Sequence, residues 1–174
     1  GMEWGFPGDK VGMIENNTMR TVATANIRSF KAIDEYEFEL ELTSDLPEEI
    51  GVGAALENLT WTPDVDIRNS FFGSCRARGL LVSTPGKVVI ENNVFESSGS
   101  AILIAGDANY WYESGAVKDV LIKGNDFRYP CMSSMYQFCE AIISIEPEIP
   151  QPDTKYPFHS NIRIANLSLI HISE

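Results

Sequence analysis

Along EYEFELEL, residues 35–42, apolar and acidic side chains alternate without a break. Tyr36, Phe38, Leu40 and Leu42 fall on one side of an extended chain, and Glu35, Glu37, Glu39 and Glu41 on the other. A period of two predicts a half-exposed antiparallel strand. KVGMIE, MRTVATA and IRSFKAI, upstream, read as its neighbours, and SDLPEEIGVG reads as a connector. A small antiparallel β module is therefore expected over about 8–48.

From about residue 55 the pattern changes from alternation to recurrence. VDIRNSFF from Val65, VVIENNVF from Val88, VLIKGNDF from Val120 and IRIANLSL from Ile162 superimpose. One column reads Ile67, Ile90, Ile122, Ile164, and another Phe72, Phe95, Phe127, Leu169. Between them stand Asn69, Asn92 and Asn166, with Asn93 and Asn125 one place on. The first interval, Val65 to Val88, is about one coil of a parallel β-helix, and the later ones are a coil plus a loop. In such a fold each strand pairs with its equivalent one coil away, so like residues stack about 4.8 Å apart. Asn suits the turns because it tolerates left-handed backbone, and its amide can ladder between coils.

A second set of strands interleaves with the first. GLLVST from Gly79, AILIAG from Ala101 and AIISIE from Ala141 align without gaps, which predicts one parallel sheet of three strands. The expected fold is all-β: about three coils of parallel β-helix over 55–166, preceded by the antiparallel module. LSLIHISE breaks the repeat after NIRIAN, so 167–174 reads as a foreign tail.

Charge and cysteine content narrow the chemistry. The chain has 174 residues, with 25 Asp+Glu against 13 Lys+Arg, a net charge of −12. An acidic surface without a basic cluster argues against a nucleic-acid partner. No apolar run reaches the roughly 18 residues of a membrane span. Cys75, Cys131 and Cys139 are too few for a disulfide framework and include no CxxC pair. They read as buried thiols with at most one bridge, Cys131 to Cys139, and no metal site is expected. Gly1 ahead of Met2 reads as an expression scar, with any export signal outside this stretch.

The ends of the three aligned strands carry the candidate chemistry. Where they begin, one column holds Arg78, Ser100 and Glu140; where they end, another holds Thr84, Gly106 and Glu146, with Asp107 one residue beyond. Behind Asp107 follow Tyr110, Trp111, Tyr112 and Glu113. Glycoside hydrolysis needs two carboxyls, one to protonate the leaving oxygen and one to act as base or nucleophile. Asp107 and Glu146, on adjacent coils, are the leading pair, and Glu140 the reserve. Glu140 lies some 20 Å along the sheet from Asp107 if the strands are straight. A salt bridge from Glu140 to Arg78 is the competing role. Trp111 and Tyr112 offer flat faces to the apolar side of a pyranose, and Glu113, Arg76 and Arg78 offer polar contacts to its hydroxyls. Alternation sends Gly106 and Asp107 to opposite faces, so the pair requires the turns at Gly106 and Pro147 to re-aim one of them.

NLTWTPDVDIRNSFFGSCRARGLLVSTPGKVVIENNVFESSGSAILIAGDANYWYESGAVKDVLI, followed by MYQFCEAIISIEPEIP, resembles glycoside hydrolase family 110, the exo-acting α-1,3-galactosidases of gut bacteria. The resemblance covers roughly residues 7 to 166. It implies a right-handed parallel β-helix with an added small β-barrel-like module, and an inverting carboxylate mechanism without cofactor or required metal. It further implies a terminal α-galactosyl glycan as substrate, including the blood-group B antigen, and a secreted, periplasmic or cell-surface location. Family members are longer, so the chain reads as a fragment, of low activity by itself, whose open coil ends would self-associate. A pectin-active β-helix hydrolase or lyase and a non-catalytic carbohydrate-binding scaffold are the alternatives.

Overall fold

The alternating segment and its neighbours form one antiparallel sheet in the computed structural model, which describes residues 4–113, 115–129 and 141–170. Its strands are β1 (Lys10–Ile14), β2 (Thr21–Ala32), β3 (Phe38–Leu42) and β4 (Ala55–Asn58), in the order β3-β2-β1-β4. β2 runs straight through both MRTVATA and IRSFKAI, read above as separate segments. A register shift between Ile27 and Ser29 lets one half pair with β1 and the other with β3. In β3 Phe38, Leu40 and Leu42 are half-buried and the glutamates exposed, as alternation requires. Tyr36 does not join them; it is 83% exposed. Asp34 Oδ1 accepts the N–H groups of Tyr36 and Glu37 at 2.7 and 2.8 Å, so an Asx turn captures Tyr36 before the strand begins. Ala55–Asn58, placed from sequence at the solenoid's start, pair with β1 instead. Asn58 explains this, because its amide bonds the Trp4 carbonyl and Asp9.

The recurrent segments build a second unit of parallel strands. They are β5 (Val65–Arg68), β6 (Phe71–Cys75), β7 (Leu80–Val82), β8 (Lys87–Glu91), β9 (Val94–Ser97), β10 (Ile102–Gly106), β11 (Asp119–Lys123), β12 (Asp126–Arg128), β13 (Ile143–Pro147), β14 (Ile162–Ala165) and β15 (Ser168–Ile170). Every third strand falls in the same sheet, giving orders β14-β11-β8-β5, β15-β12-β9-β6 and β13-β10-β7. Ile67, Ile90, Ile122 and Ile164 stand in register, as do Phe72, Phe95, Phe127 and Leu169. The Phe rings stack at 4.8 and 5.4 Å between centroids. One core draws Val82, Ile102 and Ile104, Val88, Ile90 and Ile122, and Phe95 and Phe127 from all three sheets. Residues 168–170, within the stretch expected to be foreign, continue the second sheet beside β12.

The two Asn columns divide the labour. Asn69, Asn92 and Asn166 have φ of 50–57°, and Gly124 takes their place in the third cycle at 64°. These are the left-handed corners that Asn and Gly fill at least cost. Asn93 and Asn125, one residue on, turn inward and are buried. Asn125 Oδ1 accepts from Asn93 N and Nδ2 at 2.9 and 3.1 Å; Asn125 Nδ2 donates to the Ile90 carbonyl, and Asn93 Nδ2 to that of Ile67. Asn93 Oδ1 then accepts Ser70 N, so each amide ties one cycle to the next. On the other side of the first parallel sheet, Arg68 and Lys123 flank Glu91 as ion pairs.

One alignment is off by a residue. AILIAG and AIISIE were expected to pair ungapped, Ile102 with Ile142, but Ile102 stands opposite Ile143. The Ile142 carbonyl accepts from both Ala101 N and Ile102 N, at 2.8 and 3.1 Å, as the Ala101 carbonyl does from Gly79 N and Leu80 N, so the two strand entries are held alike in the shifted register. The slip buries the Ser144 hydroxyl against that of Ser100, at 2.9 Å.

By contact density the chain divides into two units. One is Gly1–Thr62 with Ala108–Trp111 and Ile149–Tyr156; the other is Pro63–Asp107, Tyr112–Glu148 and Pro157–Glu174. In the first, Asn109 Nδ2 and Gln151 N donate to the carbonyls of Asn16 and Asn17. In the second, the segment before β14 is fixed by Ser160 N to the Val117 carbonyl and by Val117 N to His159 Nδ1. His159 Nε2 is buried without a partner among the described residues. Burial, and secondarily Lys118, lowers its pKa from 6.5 to about 4.

Two measurements test this account. Asn125→Ala strands Asn93 N–H and the Ile90 carbonyl, so denaturant unfolding should show a loss of about 2–4 kcal/mol. Asn92→Gly keeps the corner geometry and should change stability by less than about 1 kcal/mol. His159 is held neutral in the fold, with a folded pKa below its unfolded one. Its contribution is complete above about pH 6.5 and lost as pH falls towards about 4. Thermal melts across that window should fall less steeply for His159→Phe than for the parent chain.

Candidate functional site

β10 is apolar on both faces. Ile102 and Ile104 point into the shared core, while Leu103 and Ala105 pack with Leu81 on the opposite side. A parallel strand covered on both faces has this near-continuous apolar sequence. It ends at Gly106 for a steric reason. A Cβ there would lie 2.3 Å from Phe158 Cε1 and 2.8 Å from Cζ, so a side chain would displace that ring. Asp107 follows, only 2% exposed, and its N–H donates to the Glu113 carbonyl at 3.2 Å.

The slipped register sets the carboxylate geometry. Glu146 stands opposite Ala105, and Glu148 N donates to the Gly106 carbonyl at 2.9 Å, carrying the ladder one residue past β13. Glu148 therefore lies beside Asp107. Alternation then puts Asp107, Glu146 and Glu148 on one face, the face of Leu103, Ala105 and Ser144. Gly106 and Glu146, expected to be level, are not; the slip itself supplies the re-aiming that the ungapped alignment lacked. Asp107 and Glu146 are one strand apart and two residues along, about 8 Å between Cα positions. Asp107 is buried and both glutamates are exposed, so one carboxyl sits at the floor and two at the rim. Glu148 was not singled out from sequence, because the ungapped alignment placed no acid beside Asp107.

The remaining candidates are dispersed. Tyr112 and Glu113 belong to the same unit as Asp107, whereas Trp111 falls in the other. Tyr112 is 79% exposed with φ of 57°, a left-handed conformation costly for an aromatic residue. Trp111 is exposed and edge-on to Tyr110, at 5.0 Å and 85°. Arg76 and Arg78 precede β7; Arg78 is level with Ser100, about 23 Å along the sheet from Asp107. The structure does not bring these arginines to the Asp107 end. Glu140, like Cys131 and Cys139, lies outside the described residues. Among the described residues, no three His, Cys, Asp or Glu side chains are grouped to hold a metal ion, and no helix is long and apolar enough to cross a membrane.

Comparison with known proteins points one way. Residues 1–56 match the family described as GLAA-B beta-barrel domain II. The chain is 70% identical to alpha-1,3-galactosidase B of Bacteroides thetaiotaomicron, over 94% of this chain and 27% of that protein. It is 44% identical to alpha-1,3-galactosidase B of Parabacteroides distasonis, over 94% of this chain and 28% of the relative. It is 45% identical to alpha-1,3-galactosidase A of Bacteroides fragilis, over 91% and 26%. The chain thus spans about a quarter of the length of these relatives. Over that span the chain is similar to the α-1,3-galactosidases of gut bacteria.

Proposed function

We propose that a protein carrying this stretch removes terminal α-1,3-linked galactose from glycans by an inverting acid/base mechanism, with Asp107 and Glu146 as the two carboxyls. The observation that carries the reading is their position on one face, one strand and two residues apart. A backbone separation of about 8 Å lets the two side chains reach the roughly 6.5–9.5 Å between carboxyls of an inverting site, and the choice of inversion itself follows the family resemblance. One carboxyl protonates the glycosidic oxygen as the C1–O bond breaks. The other takes a proton from the water that attacks C1 from the opposite side. Atoms and charge balance within sugar, water and two carboxyls, so the step calls for no cofactor. Glu148, level with Asp107, is placed to steady the carboxylate pattern, and Glu140 is retained as the reserve catalyst. Tyr112 and Glu113, in the same unit as the two carboxyls, are assigned to the sugar ring. Arg76 and Arg78, at the other end of the sheet, are assigned to more distant parts of the glycan. A substrate borne on extracellular glycans supports a secreted, periplasmic or cell-surface location.

The fold assigned to the second unit is a right-handed parallel β-helix. The repeated three-strand cycle and the core shared by all three sheets support it, and right-handedness is the rule for parallel crossover connections.

In a full-length protein carrying this stretch, α-1,3-galactobiose and a fucosylated B-type trisaccharide should both release galactose with inversion at C1. Asp107→Asn and Glu146→Gln should each lower kcat by about 10²–10⁴-fold, read by anomer-resolved NMR of the product. Activity unaffected by both substitutions removes the pair, and turnover of polygalacturonate in place of galactosides favours a pectin-active enzyme.

Self-association is the expected behaviour of the chain. Strands β5, β6 and β7 and strands β13, β14 and β15 each lack a partner on one side among the described residues. Phe71, Ile164, Leu169 and Ile170 are exposed along them. Unpaired edges of this kind template pairing with another chain, while the acidic surface limits growth. Light scattering at low micromolar concentration should report species larger than the monomer, and a monomer that persists in moderate salt would contradict this.

A further inference from the structure

We propose that Trp61 and Asp9 form a second sugar-binding subsite, on the antiparallel module, that takes a galactopyranose ring; this rests on the reading of the protein as one that works on galactosylated glycans. Trp61 is 65% exposed, yet its Nε1 donates to Asp9 Oδ2 at 2.8 Å. The ring is therefore fixed in orientation without being buried. A flat aromatic face held still and open to solvent stacks on a sugar's C–H face at little conformational cost.

The acid beneath it is built in with equal care. Phe6-Pro7-Gly8-Asp9 closes a turn in which Asp9 N donates to the Phe6 carbonyl at 3.0 Å, with Gly8 at φ 99°. Proline before a positive-φ glycine is the signature of a type II turn. Asp9 is 8% exposed, and its Oδ2 accepts three hydrogen bonds, from Phe6 N, Asn58 Nδ2 and Trp61 Nε1. These bonds, that from Asn58 foremost, lower the Asp9 pKa, so the group is a carboxylate at neutral pH. Asn58 also fixes the segment that carries Trp61. Its Oδ1 accepts Thr60 N at 2.9 Å, and Thr60 Oγ1 accepts Lys10 N at 2.8 Å.

All three bonds fall on Oδ2. Oδ1 takes none among the described residues. An ionised, nearly buried carboxylate with a whole oxygen to spare, next to an oriented and exposed indole, has the two contacts a pyranose needs: an apolar plate and a charged acceptor for hydroxyls. Phe6, 46% exposed on the same turn, adds apolar edge. In galactose the axial O4 gathers the C3, C4 and C5 hydrogens on one face, the pattern such a plate selects. Glucose, with O4 equatorial, lacks that continuous face.

The test is a titration followed at the Trp61 indole N–H resonance in ¹⁵N-labelled protein, assigned by its loss in Trp61→Phe. Methyl α-galactopyranoside should shift it saturably, with a roughly millimolar Kd, and equally in the Asp107→Asn/Glu146→Gln double variant. Asp9→Asn should weaken the response several-fold, and methyl α-glucopyranoside should shift the resonance far less. Should Asp9→Asn fail to fold, the unmodified protein still decides the matter. An indole resonance unmoved by tens of millimolar galactoside means that Trp61 only seals Asp9. An equal response to glucoside overturns the galactose assignment. Failure of the proposed hydrolysis shows separately, as absent galactose release with the Trp61 response intact.

Discussion

Register is the constraint on which the parallel unit depends. A strand slipped by one residue turns every side chain to the other face, and three sheets around one core leave no room for such an error. Asn93 and Asn125 police it from inside. Each amide bonds the backbone or the amide of a neighbouring cycle, so its bonds exist only when the cycles are level. The stacked rings of Phe72, Phe95 and Phe127 add dispersion but little direction, since a ring can slide where an amide cannot. A buried polar ladder costs desolvation and returns specificity when every group is satisfied.

The same rule shows why the candidate site was only half legible in the sequence. The Ile, Phe and Asn columns lie on strands whose connecting corner has constant length, so text alignment and spatial register coincide. The corners before β7 and β10 also match. The segment before β13 does not; its register is one residue out from the text alignment, and no residue type marks the difference. That slip turns Glu146 to the Asp107 face and brings Glu148 level with Asp107. Tyr36 and β4 were misplaced for a related reason. A side chain, Asp34 in one case and Asn58 in the other, took over backbone partners that hydrophobic pattern cannot see.

Burial and exposure are apportioned differently in the two polar centres. At the end of β10 a buried acid stands beside exposed ones on the neighbouring strand. At Asp9 a nearly buried carboxylate is saturated on one oxygen and serves a ring that stays outside. The first centre is dictated by sheet register, the second by a turn. Their sequence signatures differ accordingly: repeat columns for one, Pro7-Gly8 before an acid for the other.

Phe158, lodged where a Gly106 side chain would stand, has an evolutionary consequence. It plugs the end of β10 with a ring carried by the long connection that follows β13. The strand end is thereby shielded from whatever happens in the rest of that connection. Lengthening a loop costs little, about 0.6 kcal/mol for each doubling, and the returning chain needs only to deliver one aromatic to the same socket. The chain between Glu148 and Pro157 can then vary in length, while the acids on the sheet keep their spacing.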